Sequence, residues 1–192
     1  ERLRLLNELS WNLISGQSQR ARSLAEEARQ LALEQQNEAS LAYSLLVIGS
    51  VDLEYGTTDE ALVYLKQAEE IFERIQDGRG LSRTLDAIGW CHYIRGEYEK
   101  SLEIHKRNLA LRESAGEPLE IADTLNSLSA VYGDIGMYAE AIEALLRAEE
   151  IARDCHSLRD MARFITNQGT MYMEVGDNEK ALQLLERVIT LS

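Results

Sequence analysis

Residues 125–151 read LNSLSAVYGDIGMYAEAIEALLRAEEI, and this stretch decides the fold. Just upstream, Ile121 joins Leu125, Leu128, Tyr132 and Ile135 at steps of four and three. That spacing places all five side chains on one side of a helix. Gly136 then breaks the pattern, because glycine enters the left-handed backbone conformation cheaply and so ends helices. Beyond it, Ala141, Leu145, Ala148, Ala152 and Cys155 form a second one-sided stripe. The stretch therefore predicts two helices joined by a tight turn.

Working outward, Gly136 belongs to a series. Gly16, Gly56, Gly96, Gly136 and Gly176 are separated by an unbroken step of 40 residues. A small residue stands seven positions earlier in four blocks, as Gly49, Gly89, Ser129 and Gly169; the first block has Leu9 there. Five positions after each glycine come Ala21, Ala61, Ser101, Ala141 and Ala181. Twelve after come Ala28, Ala68, Asn108, Ala148 and Val188, and fifteen after come Leu31, Ile71, Leu111, Ile151 and Leu191. A fixed step of this size means stacked repeats. The small residues predict close helix crossings, Gly49 against Ala61, Gly89 against Ser101 and Gly169 against Ala181. A bulky residue in place of Ala141 is expected to overpack such a crossing at a cost of about 1–3 kcal/mol.

The register predicts helix pairs at about 1–15 with 17–36, 38–55 with 58–75, 78–95 with 98–115, 118–135 with 138–155, and 158–175 with 178–192. Thr58, Asp59 and Glu60 suit a helix start, with acids at its positive end. Ser157 with Asp160 reads as a capping box. Gly116 and Pro118 read as one helix ending and the next beginning. Gly78-Arg79-Gly80 lacks the strand before and the lysine after that a phosphate loop needs, and reads as an inter-repeat turn.

The pattern resembles the tetratricopeptide repeat. Two segments carry the likeness: LDAIGWCHYIRGEYEKSLEIHKRNLAL at 85–111 and LNSLSAVYGDIGMYAEAIEALLRAEEI at 125–151, with Tyr98, Tyr132 and Tyr138 where the family places aromatics. The resemblance implies an all-α fold, a right-handed α-solenoid of five such helix pairs. It covers residues 1–192 as a single array with repeats at about 1–37, 38–77, 78–117, 118–157 and 158–192. Three departures stand out. The step exceeds the family's usual period of about 34, the proline that often closes a repeat is missing, and the first repeat has Leu9 in the small-residue slot and lacks the tyrosines. The longer step is similar to the repeats of kinesin light chains, cell-polarity adaptors and many bacterial signalling proteins.

Composition narrows the function. Thirty-three acidic residues oppose twenty basic ones, for a net charge of −13. Such a surface repels phosphate backbones and anionic lipids, so neither nucleic acid nor membrane is expected as a ligand, while a basic peptide is compatible with it. Cys91 and Cys155 lack any CxxC spacing, which fits a reducing, cytoplasmic setting. No apolar run approaches the ~18 residues of a membrane span. The chain opens at Glu1 rather than methionine, and is expected to be a piece of a longer protein.

No constellation supports catalysis, a cofactor or a metal. His92 and His156 each follow a cysteine, but adjacent residues on a helix point apart. His92 stands in a slot filled elsewhere by Tyr132 and Tyr172, which predicts packing. Cys91 aligns with Val51, Val131 and Met171, which predicts a buried small hydrophobe. The chain is thus expected to be a non-catalytic scaffold.

By the resemblance, the first helix of each repeat lines a concave groove that binds a protein segment. The register then assigns Tyr43, Leu46 and Ser50, then Arg83, Asp86, Trp90 and Tyr93, then Asp123, Asn126, Ser127 and Ala130, and finally Arg163, Thr166, Asn167 and Thr170. Trp90 and Tyr93 are the expected apolar anchors, the alternative being that Trp90 packs against Tyr93 or a neighbouring repeat. Asn126 and Asn167 would hold a peptide backbone. Arg83 and Arg163 would grip a carboxylate, or else pair with Asp86 and Asp123. The expected partner is a peptide or helix of another protein. The alternative is a regulatory or sensory segment of a larger bacterial signalling protein, such as a diguanylate cyclase or transcription regulator. Leu182, Leu185, Val188 and Ile189 lack a capping helix behind them, so the expectation is that either further repeats or another domain of the parent covers them or two copies pair as a homodimer through the last helix.

Overall fold

The computed structural model describes residues 1–191. Among them are ten α-helices and no strand. They are α1 (Arg2–Leu13), α2 (Ser18–Glu34), α3 (Glu38–Glu54), α4 (Thr58–Ile75), α5 (Gly78–Ile94), α6 (Tyr98–Ala115), α7 (Pro118–Asp134), α8 (Tyr138–Asp154), α9 (Leu158–Glu174) and α10 (Asn178–Leu191). These are the five expected pairs; the last expected position, Ser192, lies outside the described residues. The chain divides into two compact units, one ending at Ile104 and one beginning at His105, so the division falls within α6.

The hinge of each pair follows from backbone geometry. At Gly136 the backbone is left-handed, with φ +79°. The Gly136 N–H donates to the Gly133 carbonyl (3.0 Å), and Met137 N–H donates to Tyr132 O (2.8 Å). Carbonyls that a helix end leaves unsatisfied thus find donors inside the turn. The Gly116-Glu117-Pro118 junction behaves as its residues dictate. Gly116 takes φ +69° and Pro118 opens α7.

In the first unit, sequential helices pack on one another, and α3 also touches both α1 and α5. Odd-numbered helices therefore form one layer and even-numbered helices the other. Ala21, Ala25, Val47, Ile48 and Val51 form one cluster between these layers. A larger one gathers Leu45, Leu46, Leu65, Phe72, Ile88 and Cys91. Leu46 is fully buried there, so it fills the core instead of lining an inner surface. The Gly49 crossing is as tight as expected. A Cβ on Gly49 would stand 2.7 Å from Leu65 Cγ and 3.1 Å from the Ala61 carbonyl oxygen. At the Gly89 crossing, the Ser101 hydroxyl donates to the Gly89 carbonyl (2.9 Å), which explains how serine replaces alanine in a buried slot.

In the second unit α7 packs on α8, α8 on α9 and α9 on α10, around Leu125, Leu145, Phe164 and Ile165. The Gly169 crossing is looser than expected. A Cβ there would meet nothing closer than Leu185 at 3.6 Å, an ordinary contact. Gly133, which the register does not single out, is the confined one, since a Cβ would stand 2.9 Å from Met171 Sδ. Polar groups join the core at Gln168, which donates to Glu149 Oε2 (2.9 Å). Arg153 and Arg187 donate to Glu149 Oε1 at 2.7 and 2.5 Å. Burial alone would raise the Glu149 pKa, but these hydrogen bonds and charges hold it below the ordinary value.

Two local expectations are corrected. Gly78-Arg79-Gly80 is the first turn of α5, capped by Asp77, whose carboxylate accepts the Gly80 N–H at 2.9 Å. Ser157 does not cap a backbone N–H; its hydroxyl donates to Asp160 Oδ2 at 2.6 Å.

α6 departs from every other second helix. Ser101, His105, Asn108 and Arg112 are all buried, at spacings that align them on one stripe. The corresponding residues of α8 are Ala141, Leu145, Ala148 and Ala152. Arg112 donates to Glu120 O (2.7 Å) and Thr124 Oγ1 (2.6 Å), and pairs with the Glu120 carboxylate (3.2 Å).

Candidate functional site

The first unit presents a cavity of about 480 Å³ on its odd-numbered helices. α1 supplies Arg4, Asn7, Glu8, Trp11 and Asn12, α3 supplies Ala39, Ser40, Tyr43 and Val47, and α5 supplies Arg79 and Arg83. Helical steps of three and four put Arg4, Asn7 and Trp11 on one face, and a step of four does the same for Arg79 and Arg83. The Arg83 guanidinium carbon lies 4.5 Å from the Trp11 ring centroid, a cation–π distance. Tyr43 donates its hydroxyl to Asp77 Oδ2 (2.9 Å) and meets Phe72 edge-on at 4.9 Å. Burial, then the Asp77 hydrogen bond, pushes the Tyr43 phenol up to about 12, so it stays protonated and remains a donor.

Further along the same unit, Trp90 is half-buried and edge-to-face with Tyr93 at 5.0 Å. Tyr93 in turn meets Tyr98 at 5.9 Å. Asp86 is half-buried on the same helix. His92, in the slot of Tyr132 and Tyr172, places Nδ1 2.7 Å from Glu97 Oε2. Lys100 and then His92 hold the Glu97 carboxyl down at about 2. Cys91 is buried, and burial pushes its thiol up to about 11, which suppresses the reactive thiolate.

In the second unit, Asn167 Nδ2 donates to Asn126 Oδ1 at 2.6 Å. Arg163 is bonded to Asp123 and to Asp160 Oδ1 (3.0 Å) and lies 4.6 Å from the Phe164 ring. Of the two roles open to Arg163, the structure thus gives the pairing with Asp123. Ser127 is buried, its hydroxyl bonded to the Asp123 carbonyl, so it does not line a surface. Thr166 and Thr170 are exposed.

The expected residues are thereby distributed: Tyr43, Arg83, Asp86, Trp90 and Tyr93 in the first unit, and Asn126, Arg163 and Asn167 in the second. Tyr43 and Arg83 share the cavity, whereas Asp86, Trp90 and Tyr93 lie outside its lining. Sequence reading missed Arg4, Asn7, Trp11 and Arg79. The signal was present in the helical spacing of the first three. It was masked because Leu9 breaks the small-residue column, which made α1 look degenerate.

The tetratricopeptide repeat sequence profile matches residues 40–114 and 80–154, and a second profile of the same repeat matches 165–192. The chain belongs to the tetratricopeptide repeat family. Tetratricopeptide repeat protein 29 of Trypanosoma brucei brucei is 23% identical over 133 residues, 69% of this chain. The chain spans 28% of that relative's length. Among solved structures, a putative kinesin light chain of Podosopora anserina with nearly identical tetratricopeptide-like repeats superposes with a TM-score of 0.79. It is 20% identical, with 99% of this chain and 94% of that chain covered. A signal transduction ATPase with numerous domains from Pyrococcus horikoshii, which carries a tetratricopeptide repeat sensor, gives 0.86 at 18% identity. Here 99% of this chain and 31% of that chain are covered. These likenesses carry the all-α tetratricopeptide fold. Tetratricopeptide repeats generally mediate protein–protein interaction and are generally non-catalytic scaffolds. No helix among the described residues is long and apolar enough to cross a membrane.

Proposed function

We propose that this chain is a non-catalytic capture module that holds a peptide or helix of a partner protein on its odd-numbered helices. The cavity on α1, α3 and α5 carries the reading. It is concave, walled by Trp11, Tyr43 and Val47, and edged by charged, amide and hydroxyl side chains that can fix the orientation of a bound segment. Trp90 and Tyr93 add apolar area on α5, and aromatic residues dominate the energy of most interfaces. Asn126, Arg163 and Asn167 offer polar contacts on α7 and α9.

Panning a random-peptide display library against the chain tests this. Selected peptides are expected to bind saturably. Arg83→Ala and Trp90→Ala, both on α5 and made separately and together, are expected to weaken them while far-ultraviolet circular dichroism stays unchanged. Recovery of no binding peptide would remove the reading, and so would binding that survives both substitutions.

A second reading has its own support. A likeness in fold to a signalling ATPase that carries a tetratricopeptide repeat sensor, covering 31% of it, supports a sensory role. Under it, the exposed Leu182 and Ile189 of α10 would meet a second copy. A strictly monomeric sedimentation profile across micromolar concentrations would count against that contact.

A further inference from the structure

Two neighbouring turns of the second unit carry an exposed apolar edge that turn geometry does not demand. Ile135 and Met137 flank Gly136 between α7 and α8, and Met173 and Val175 precede Gly176 between α9 and α10. In that order they are 37%, 37%, 55% and 48% exposed. The slot of Met137 holds Gln17, Thr57, Glu97 and Asp177 in the other repeats, so a polar residue closes the same turn. The two turns lie side by side, because a Cβ on Gly133 in the last turn of α7 would stand 2.9 Å from Met171 Sδ in the last turn of α9. Both backbones are fixed. Val175 N–H donates to Met171 O (3.1 Å) and Asp177 N–H to Tyr172 O (2.9 Å), as their counterparts do around Gly136. The edge is thus preorganised and loses little freedom when a partner binds.

Acids rim this edge. Residues 132–140 and 172–180 hold Asp134, Glu140, Glu174, Asp177 and Glu179, all exposed, against one base, Lys180, which lies 5.0 Å from the Tyr172 ring. An exposed apolar patch with a polar rim marks a docking surface. Methionine side chains, unbranched and polarizable, adapt to apolar partners of varied shape. We propose that this edge docks a basic amphipathic helix of a partner protein, its apolar stripe on Ile135, Met137, Met173 and Val175 and its lysines or arginines over the acids. Helices in side contact lie about 8–10 Å apart, and seven residues of helix rise about 10 Å, so ligand residues i and i+7 would reach the two turns together. The acids disfavour both an anionic lipid surface and a second copy of the same edge. The edge belongs to the second unit and the capture cavity to the first, so neither role depends on the other.

Methyl-labelled methionine gives the test its readout: Met137 and Met173 stand on the edge, and Met161 is buried away from it. The probe is a Leu/Lys model helix of about 14 residues with its leucines on one face. Titrated into the full chain, it is expected to shift the methyl resonances of Met137 and Met173 and to leave that of Met161 in place. Met137→Ser with Val175→Ser is expected to weaken binding about tenfold or more by fluorescence anisotropy. Both residues are exposed, so helicity by circular dichroism should be unchanged. Asp134→Lys with Glu174→Lys is expected to weaken the Leu/Lys helix and to raise the affinity for the same helix with glutamates in place of lysines, a swap that a folding defect would not produce. Absence of binding, binding that moves neither edge methyl, or equal binding of a Leu/Lys peptide of scrambled order would overturn the docking site. Methyl shifts that track the concentration of the chain alone would give the edge to a second copy and overturn it too. None of these outcomes touches peptide capture by the cavity, whose test variants lie on α5.

Discussion

Gly80 on α5 and Phe72 on α4 are matched in size: a Cβ on Gly80 would stand 2.2 Å from Phe72 Cε1. The Phe72 ring is fully buried and cannot swing aside. The same register holds Ala32 with Ser40 and Ala152 with Asp160, small opposite larger. Gly80→Ala sets a helix-propensity gain of about 1 kcal/mol against an overpacking cost of about 1–3 kcal/mol. Net destabilisation is expected. In a Phe72→Ala background, itself costing about 3–5 kcal/mol, the same change should become neutral or stabilising. Urea midpoints of the double-mutant cycle check this; additive effects would show that the two positions are not in contact.

The parts of the fold that were legible are those where one residue type alone satisfies the geometry. The five glycines were readable because their turns need a left-handed residue, and Gly49 because Leu65 leaves no room for a methyl. Gly169 shows the limit: its residue type matches the column, yet the space around it does not require glycine. Leu46 and Ser127 were misplaced because a helical step of three or four tolerates a rotation of one position, enough to turn a lining residue into a core one. The cavity was half legible. Tyr43 and Arg83 follow the register, but Trp11 and Arg4 belong to a helix whose own register is broken. For Arg163 the sequence leaves two roles open, a carboxylate grip or a pairing with Asp123, and in space it is paired with Asp123.

Second helices end by the same backbone move as first helices, with less suitable residues. Gln36, Gln76 and His156 have φ of 52°, 57° and 55°, at the positions where the third repeat has Gly116. A side chain in the left-handed region costs about 1–2 kcal/mol relative to the right-handed one, partly offset by the greater unfolded-state freedom of glycine. Glycine at each of these three sites is expected to stabilise by about 0.5–1 kcal/mol. Gly136→Ala should destabilise by a similar amount. Thermal and urea denaturation of the four variants check the opposite signs.

Asn108 is a buried amide for which neither the oxygen nor the nitrogen has a hydrogen-bond partner among the described residues. Its counterparts Ala28, Ala68 and Ala148 are all fully buried methyls. An unsatisfied buried polar group costs about 1–3 kcal/mol. The smaller side chain leaves some space, which reduces the gain. Asn108→Ala is therefore expected to stabilise by about 1–2 kcal/mol, a result a urea midpoint can read directly. Destabilisation would mean that the amide is held by something its surroundings do not display.

His105 stands where Leu65 and Leu145 stand in the neighbouring repeats, and it is fully buried. Burial, then the charge of Arg112, lowers its pKa from 6.5 to about 4. The folded state therefore resists a proton that the unfolded chain accepts. Stability is complete above pH 6.5, falls as the pH drops from there, and levels off below about 4. At about 1.4 kcal/mol for each pH unit between the two values, the full loss is about 3 kcal/mol. Glu149, whose pKa is also lowered, loses its contribution only below its ordinary 4.5, so the interval from 6.5 to 4.5 isolates the histidine. His105→Leu is expected to remove the slope in that interval whatever it does to overall stability. Parallel urea titrations of the two proteins at half-unit pH steps measure this, and equal slopes would show that His105 is protonated as readily in the folded state as in the unfolded one.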